Sequence, residues 1–204
     1  MNGKPYHHGN LRAALVAAGL EILEEDGLAG LSLRAIAARA GVSHAAPRNH
    51  FRNLGELHTA IAAEGFRRHA AAMRAGIDAI ADRPARMRAA MEGYVRFAAE
   101  NPELFALMFS VLHIDHTDPE LGLAASESYA VLSDIATGLN WDKAEAPDAQ
   151  LRAETMLWSL VHGYAHLRAS GLLDPPGRSC DGPLEIGEIM PDFGYLDKDR
   201  QDRK

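Results

Sequence analysis

The chain has 204 residues, of which 47% are hydrophobic, 24% charged and only 6% aromatic, enough apolar material for one core or two small ones in a soluble globular protein. Its 21 Lys and Arg against 28 Asp and Glu give a net charge of -7, which excludes a surface coated in basic charge for indiscriminate nucleic-acid binding. The charge is uneven: residues 1–70 carry 8 Lys/Arg against 6 Asp/Glu and the remainder carries 13 against 22, so a mildly basic head precedes an acidic body.

Alanine is abundant and alternating Val/Ile/Thr runs are missing, so the chain reads as all-α. Over residues 10–26 the apolar positions Leu11, Leu15, Ala18 and Ile22 recur in steps of four, three and four, with Asn10 to cap the start and Gly27 the end. In LSLRAIAARAGVS, Ser32 is the expected N-cap of a short helix, Leu33, Ile36, Ala37 and Ala40 its buried face, and Gly41 the positive-φ residue that stops it. Ser43 is then expected to cap a third short helix, HAAPRNHF, with Pro47 in its first turn. Longer helices are predicted over 54–81, 85–100, 103–112, 120–139 and 149–173, with a loop at 113–119 and a polar linker at 140–148. The remainder is rich in Pro, Gly and Asp and is expected to hold at most one short helix, over 184–190.

The first three helices carry the information. Two short helices joined by a tight glycine turn form a helix-turn-helix unit, with small Ala37 at the crossing, Gly41 in the turn and Val42 in the angle between them. The segment after the turn offers His44, Arg48, Asn49 and His50 as outward donors, while Phe51 closes its back against the core.

The stretch HHGNLRAALVAAGLEILEEDGLAGLSLRAIAARAGVS from His7, the pair His50-Phe51 and the long helix after it strongly resemble the TetR family of transcriptional repressors. Further along, LWSLVHGYAHLRASGLL contains Trp158, His162 and Gly163, and looks like the Trp-His-Gly signature of one branch of that family's C-terminal domains. The resemblance implies an all-helical homodimer. Its N-terminal DNA-binding domain would span residues 1–53, and residues 54–204 would bind a small-molecule effector and dimerise through the last helices. It also implies two departures. Family members usually carry Tyr shortly before the His-Phe pair and Lys three residues after its Phe, where this chain has Arg48 and Leu54.

On an α-helix, His44, Ala45, Arg48 and Asn49 share one face and would enter the major groove together. Asn49 suits adenine, Ala45 a thymine methyl, and Arg48 either the backbone or the O6/N7 edge of guanine. Ser32, Ser43, His50 and Arg52, near helix starts or rims, are expected at phosphates, and Lys4 would add a contact from the N-terminal arm. The partners expected are therefore double-stranded operator DNA, a second copy of the chain and a small-molecule effector.

In the body, Phe97, Phe105, Met108 and Phe109 read as core or as the apolar lining of an effector pocket, with Tyr94, Arg96 and His113 as its polar contacts. Met156, Leu157, Leu160, Val161, Tyr164 and Leu167 exceed what one buried stripe needs and are expected at the dimer interface. His162 and His166 stand at i and i+4, but the string HGYAH lacks the Glu of HExxH and no third ligand is evident, so helix packing is the expected role. No cofactor or metal is expected.

The one cysteine, Cys180, excludes an intramolecular disulfide and fits a reducing cytoplasm. The N-terminus lacks the apolar stretch of a signal peptide, and the longest apolar run, 104–114, falls short of the ~20 residues of a membrane span. The chain contains no GxGxxG, Walker lysine motif, GxSxG, CxxC or Glu-x-x-His pair, so an enzyme is disfavoured. A helical adaptor that has lost DNA binding is the alternative that Leu54 and the acidic charge suggest.

Overall fold

The computed structural model describes residues 11–75, 77–173 and 184–196; Lys4, Asn10 and Cys180 lie outside them. The described residues form an all-α protein, and no helix among them is long and apolar enough to cross a membrane. Contacts divide the chain into two compact units. One comprises 1–66 with 103–124, and the other 67–102 with 125–204. The division is discontinuous in sequence, because the first part of the long third helix and the segment 103–124 go with the head.

In the first unit, α1 (Leu11–Gly30) turns at Gly27, whose φ of 68° interrupts the helix where the sequence predicts its end. Ser32 caps α2 (Leu33–Arg39) by accepting the Ala35 N–H at 3.1 Å, an arrangement contributing roughly 1 kcal/mol. The end of α2 is closed by two bonds, Val42 N–H to Ala37 carbonyl at 2.9 Å and Gly41 N–H to Ala38 carbonyl at 3.1 Å, with Gly41 at φ 68°. A Cβ on Gly41 would meet nothing within 4 Å, so glycine is required there by the backbone alone. Gly19 has a different reason: a Cβ would stand 2.6 Å from Ile61 Cδ1, which marks the close approach of α1 to α3 (Leu54–Arg74). Leu15, Leu23, Ile36, Phe51, Leu57 and Ile61 make the buried centre of this unit. Arg39 fastens α2 to α1 through Glu25 at 2.5 Å and Glu21 at 3.4 Å. Arg12 lies over the Phe51 ring and pairs with Glu120 at 2.7 Å.

In the second unit, α4 (Arg83–Glu100) packs along α7 (Ala149–Ala169), and α8 (Ile186–Ile189) lies against α4. Gly93 lets α4 pass close to the end of α3, where a Cβ would run into the Ala72 carbonyl. Among the described residues the other α-helices are α5 (Pro102–Met108), nearly all of which goes with the first unit, and α6 (Pro119–Ala136), whose residues are divided between the two.

Several predicted ends move for identifiable reasons. The third long helix stops at Arg74 rather than 81, two residues short of Gly76, a poor helix former. Asp82 caps α4 through Ala85 N–H at 2.9 Å, so α4 begins at Arg83 rather than 85. α5 ends at Met108 rather than 112, because the Ser110 hydroxyl captures the amides of Leu112 and His113. Gly138 and Gly171, at φ 70° and 66°, end α6 and α7 before 139 and 173. Beyond α6 the chain forms a two-residue antiparallel ladder, β1 (Leu139–Asn140) with β2 (Gly194–Tyr195), which the sequence did not signal. Arg83 stacks 4.2 Å over the Tyr195 ring and steadies it.

Candidate DNA-binding surface and effector region

The segment after the Gly41 turn is the largest departure from the helical expectation. It is a single 3-10 turn, Ala46–Asn49, preceded by Ala45 rather than capped by Ser43. Pro47 explains this: it has no N–H to give to Ser43, so the α-type bond at that position cannot form. The i→i−3 bonds that form are Ala46 to Ser43 at 3.0 Å, Arg48 to Ala45 at 3.2 Å and His50 to Pro47 at 2.9 Å, and one α-type bond, Phe51 N–H to the Pro47 carbonyl at 2.9 Å, closes the segment. With about three residues per turn, Arg48 stands over Ala45 and Asn49 over Ala46. Positions 44, 45, 48 and 49 therefore lack α-helical spacing, although all four remain exposed.

The outward direction of the side chains survives that change. His44, Ala45, Arg48, Asn49 and His50 are all exposed, while Pro47 and Phe51 are buried behind them. Ser32 and Ser43 are exposed at either end of the α2-turn unit. Arg52 is exposed but engaged, since its Nε donates to Glu56, and the same carboxylate accepts the Arg52 backbone N–H at 2.8 Å. Glu56 is therefore a residue of this surface that sequence reasoning missed, although its i+4 spacing from Arg52 was a visible signal. Leu54 is half-buried at the start of α3.

The seven residues expected around an effector fall into two groups. In the first unit, Phe105 and Met108 are buried and Phe109 meets Phe105 and Phe66 edge-on at 5.0 and 5.4 Å. Met108 fills the space over Gly65. His113 is exposed, edge-on to His58 at 6.1 Å, and the His58 Nε2 is buried with no hydrogen-bond partner. Burial, and secondarily His113, pushes the His58 pKa below its ordinary value. In the second unit, Tyr94 and Phe97 are buried around His69, with ring centres 4.3 and 5.1 Å from it, and Arg96 is exposed. Burial pushes His69 down to about 3, and its Nδ1 meets the Ser128 hydroxyl at 2.7 Å. Burial also raises the Tyr94 hydroxyl, which stands 2.7 Å from His162 Nδ1. His162 is held at about 4 by burial and by His166.

The residues expected at a dimer interface divide in the same way, and here the expectation needs correction. Leu157 and Val161, each 0% exposed, and buried Tyr164 form the inward stripe of α7 within the chain's own core and are not surface. Met156 and Leu160 are half-buried, and Leu167 is 45% exposed. The apolar side chains that α7 does present outward are Leu151, Trp158 and Leu167, with Tyr129 of α6 edge-on to Trp158 at 6.2 Å. Beside them runs an open groove of about 590 Å³ along α6, past Ser126, Tyr129, Ser133 and Thr137.

Buried Glu154 lies next to that groove and was also missed. It accepts from Tyr129 Oη and Ser133 Oγ at 2.6 Å each and from Gln150 Nε2 at 2.7 Å. Burial raises its pKa, and these three bonds outweigh burial and hold it low; Tyr129 in turn is pushed up to about 12. Its register, three residues before Leu157 and seven before Val161, was the signal that this carboxylate faces inward.

Residues 15–61 match the family described as bacterial regulatory proteins, tetR family, and residues 87–185 match the tetracyclin repressor-like C-terminal domain. Among solved structures, a protein with unknown function from Rhodococcus sp. RHA1 is 36% identical, with a TM-score of 0.71 over 91% of this chain and 92% of that one. The TetR family transcriptional regulator PfmR from Thermus thermophilus shares the fold at 21% identity, with a TM-score of 0.53 over 86% of this chain and 91% of that one. The transcriptional regulator FadR from Bacillus subtilis, solved in complex with stearoyl-CoA, does so at 16% identity, with a TM-score of 0.57 over 80% and 90%. No curated protein sequence matches the chain. The two family matches fall on the head and on the body and together cover most of the sequence, and the chain belongs to the TetR family of DNA-binding transcriptional regulators.

Proposed function

We propose that the chain is a ligand-responsive repressor that binds a palindromic operator as a homodimer, one recognition segment per half-site. The observation that carries this reading is the run of exposed side chains His44, Ala45, Arg48, Asn49 and His50 on a segment held from behind by Pro47 and Phe51. In this reading residues 1–53 are the DNA-binding part and residues 54–204 the effector-binding and dimerising part. Arg48 and Asn49 read base edges, Ala45 meets a thymine methyl, and Ser32, Ser43 and His50 fix the register at phosphates, with Lys4 adding a contact from the arm. Arg52 joins them only after exchanging Glu56 for a phosphate.

The second copy is proposed to cover the outward face of α7 and α6, Leu151, Trp158, Leu167 and Tyr129, with half-buried Met156 and Leu160 at its margin. An effector that binds better to the arrangement unfit for DNA shifts the population and releases the operator. That coupling is reciprocal, so operator DNA weakens effector binding by the same factor. The proposed effector contacts are taken unit by unit: Phe105, Met108, Phe109 and His113 in the first, and Tyr94, Arg96 and Phe97 in the second.

The test is selection of the purified protein against random double-stranded DNA at near-physiological salt. Enrichment of a palindrome, with half-sites about one helical turn or a multiple apart, supports the reading. No enrichment from a folded, dimeric protein overturns it in favour of a helical adaptor, the reading that Leu54 and the Glu56-bound Arg52 favour.

A further inference from the structure

His162 and His166 lie one turn apart on α7, and their Nε2 atoms approach to 3.1 Å with the rings at 77°. Two imidazole nitrogens at metal-bond lengths of about 2.0–2.1 Å and this separation subtend an angle of about 95–100° at the ion, between the octahedral and tetrahedral values. We propose that His162 and His166 form the protein half of a divalent transition-metal site on α7, whose remaining positions are filled by water or an added anionic donor.

The two rings are prepared differently for that role. His162 is half-buried, edge-on to Trp158 at 6.2 Å and to Tyr94 at 6.3 Å, so its plane is fixed by neighbours. Its Nδ1 is 2.7 Å from the Tyr94 hydroxyl. With Nδ1–H donating to the Tyr94 oxygen, the Nε2 lone pair turns toward His166 and the ion, which is the outer partner that a ligating imidazole requires. His166 is exposed, so the ion sits at the surface and keeps open positions. Among the described residues no group of three or more His, Cys, Asp or Glu forms a metal cage, so the described residues contribute these two imidazoles to the site. Imidazole ligands suit Cu²⁺, Ni²⁺ and Zn²⁺, and without a geometric cage the order of affinity follows the intrinsic one, Cu²⁺ tightest.

The inference is independent of operator binding, and its test uses the full chain. The background is His7→Ala/His8→Ala, because those adjacent histidines would themselves take up metal. Cu²⁺ is titrated into this protein and followed by electron paramagnetic resonance, and Ni²⁺ and Zn²⁺ by calorimetry. The expected result is one equivalent bound, with a two-nitrogen imidazole signature, and affinity reduced tenfold or more by His166→Gln, an exposed substitution that leaves the fold intact. Tyr94→Phe keeps both imidazoles and removes the outer partner, and is expected to weaken binding about 10- to 100-fold. An unchanged titration in His166→Gln overturns the proposal and leaves a hydrogen-bonded histidine pair only. A one-nitrogen signature in the background protein overturns it as well.

Discussion

The segment 44–50 of the head and the α4–α7 region of the second unit treat polar side chains in opposite ways. On the head, His44, Arg48, Asn49 and His50 point to solvent from a segment whose conformation is set by Gly41, Pro47 and Phe51. In the second unit, His69, Tyr94, His162 and Glu154 are turned inward and joined by bonds between residues far apart in the chain, Tyr94 to His162 and Tyr129 to Glu154 among them. A surface meant to be read by a partner needs donors fixed locally from behind. A body that holds helices in register buries polar groups and gains by pairing them, since an unsatisfied buried group costs about 1–3 kcal/mol.

Four perturbations break or sharpen that contrast. Phe51→Ala removes the buried ring behind the recognition segment and should cost about 3–5 kcal/mol of stability, measured by chemical denaturation. If it costs under about 1 kcal/mol, the segment is not held from behind. Arg48→Ala should leave the denaturation curve unchanged and lower operator affinity by roughly 1–3 kcal/mol, read by fluorescence anisotropy against the selected site. Unaltered operator preference would make Arg48 peripheral.

The buried polarity of the second unit predicts a pH effect. Burial holds His69 near 3, whereas in the unfolded chain it titrates near its ordinary value of 6.5. The unfolded state therefore takes up a proton that the folded state refuses. Stability is complete above about pH 6.5 and is lost as pH falls from there toward 3, by up to ~1.4 kcal/mol per pH unit for this one group. His69→Asn should flatten that slope in a pH series of denaturation midpoints. The smallest effect is that of Ser32→Ala, which removes the α2 cap and should cost about 1 kcal/mol without altering the recognition segment.

What was legible in the sequence follows the same division. Ser32, Gly27 and Gly41 announced the starts and stops of the head because caps and positive-φ turns are local. Pro47 fits the first turn of a helix, yet with no N–H to give to Ser43 it leaves a 3-10 turn, which changes the spacing of positions 44, 45, 48 and 49 while all four stay exposed. On α7 the apolar stripe was visible, but its assignment to a partner was reversed for Leu157, Val161 and Tyr164. Periodicity reveals a buried face without saying which helix covers it, and the α4 face that does so is some 60 residues away in sequence. The Glu154 cluster and the ladder of 139–140 with 194–195 depend on such distant pairing and left only the register of Glu154 as a trace.

The Pro47 turn also makes the head a natural cassette. Pro47 and Phe51 are buried and hold the backbone, so the exposed positions His44, Ala45, Arg48 and Asn49 can be varied without touching the scaffold beneath them. On the proposed function, a library that varies those four positions and keeps Pro47 and Phe51 is the one expected to redirect operator preference, whereas transplanting a full recognition helix from a relative would import a backbone that this chain does not use.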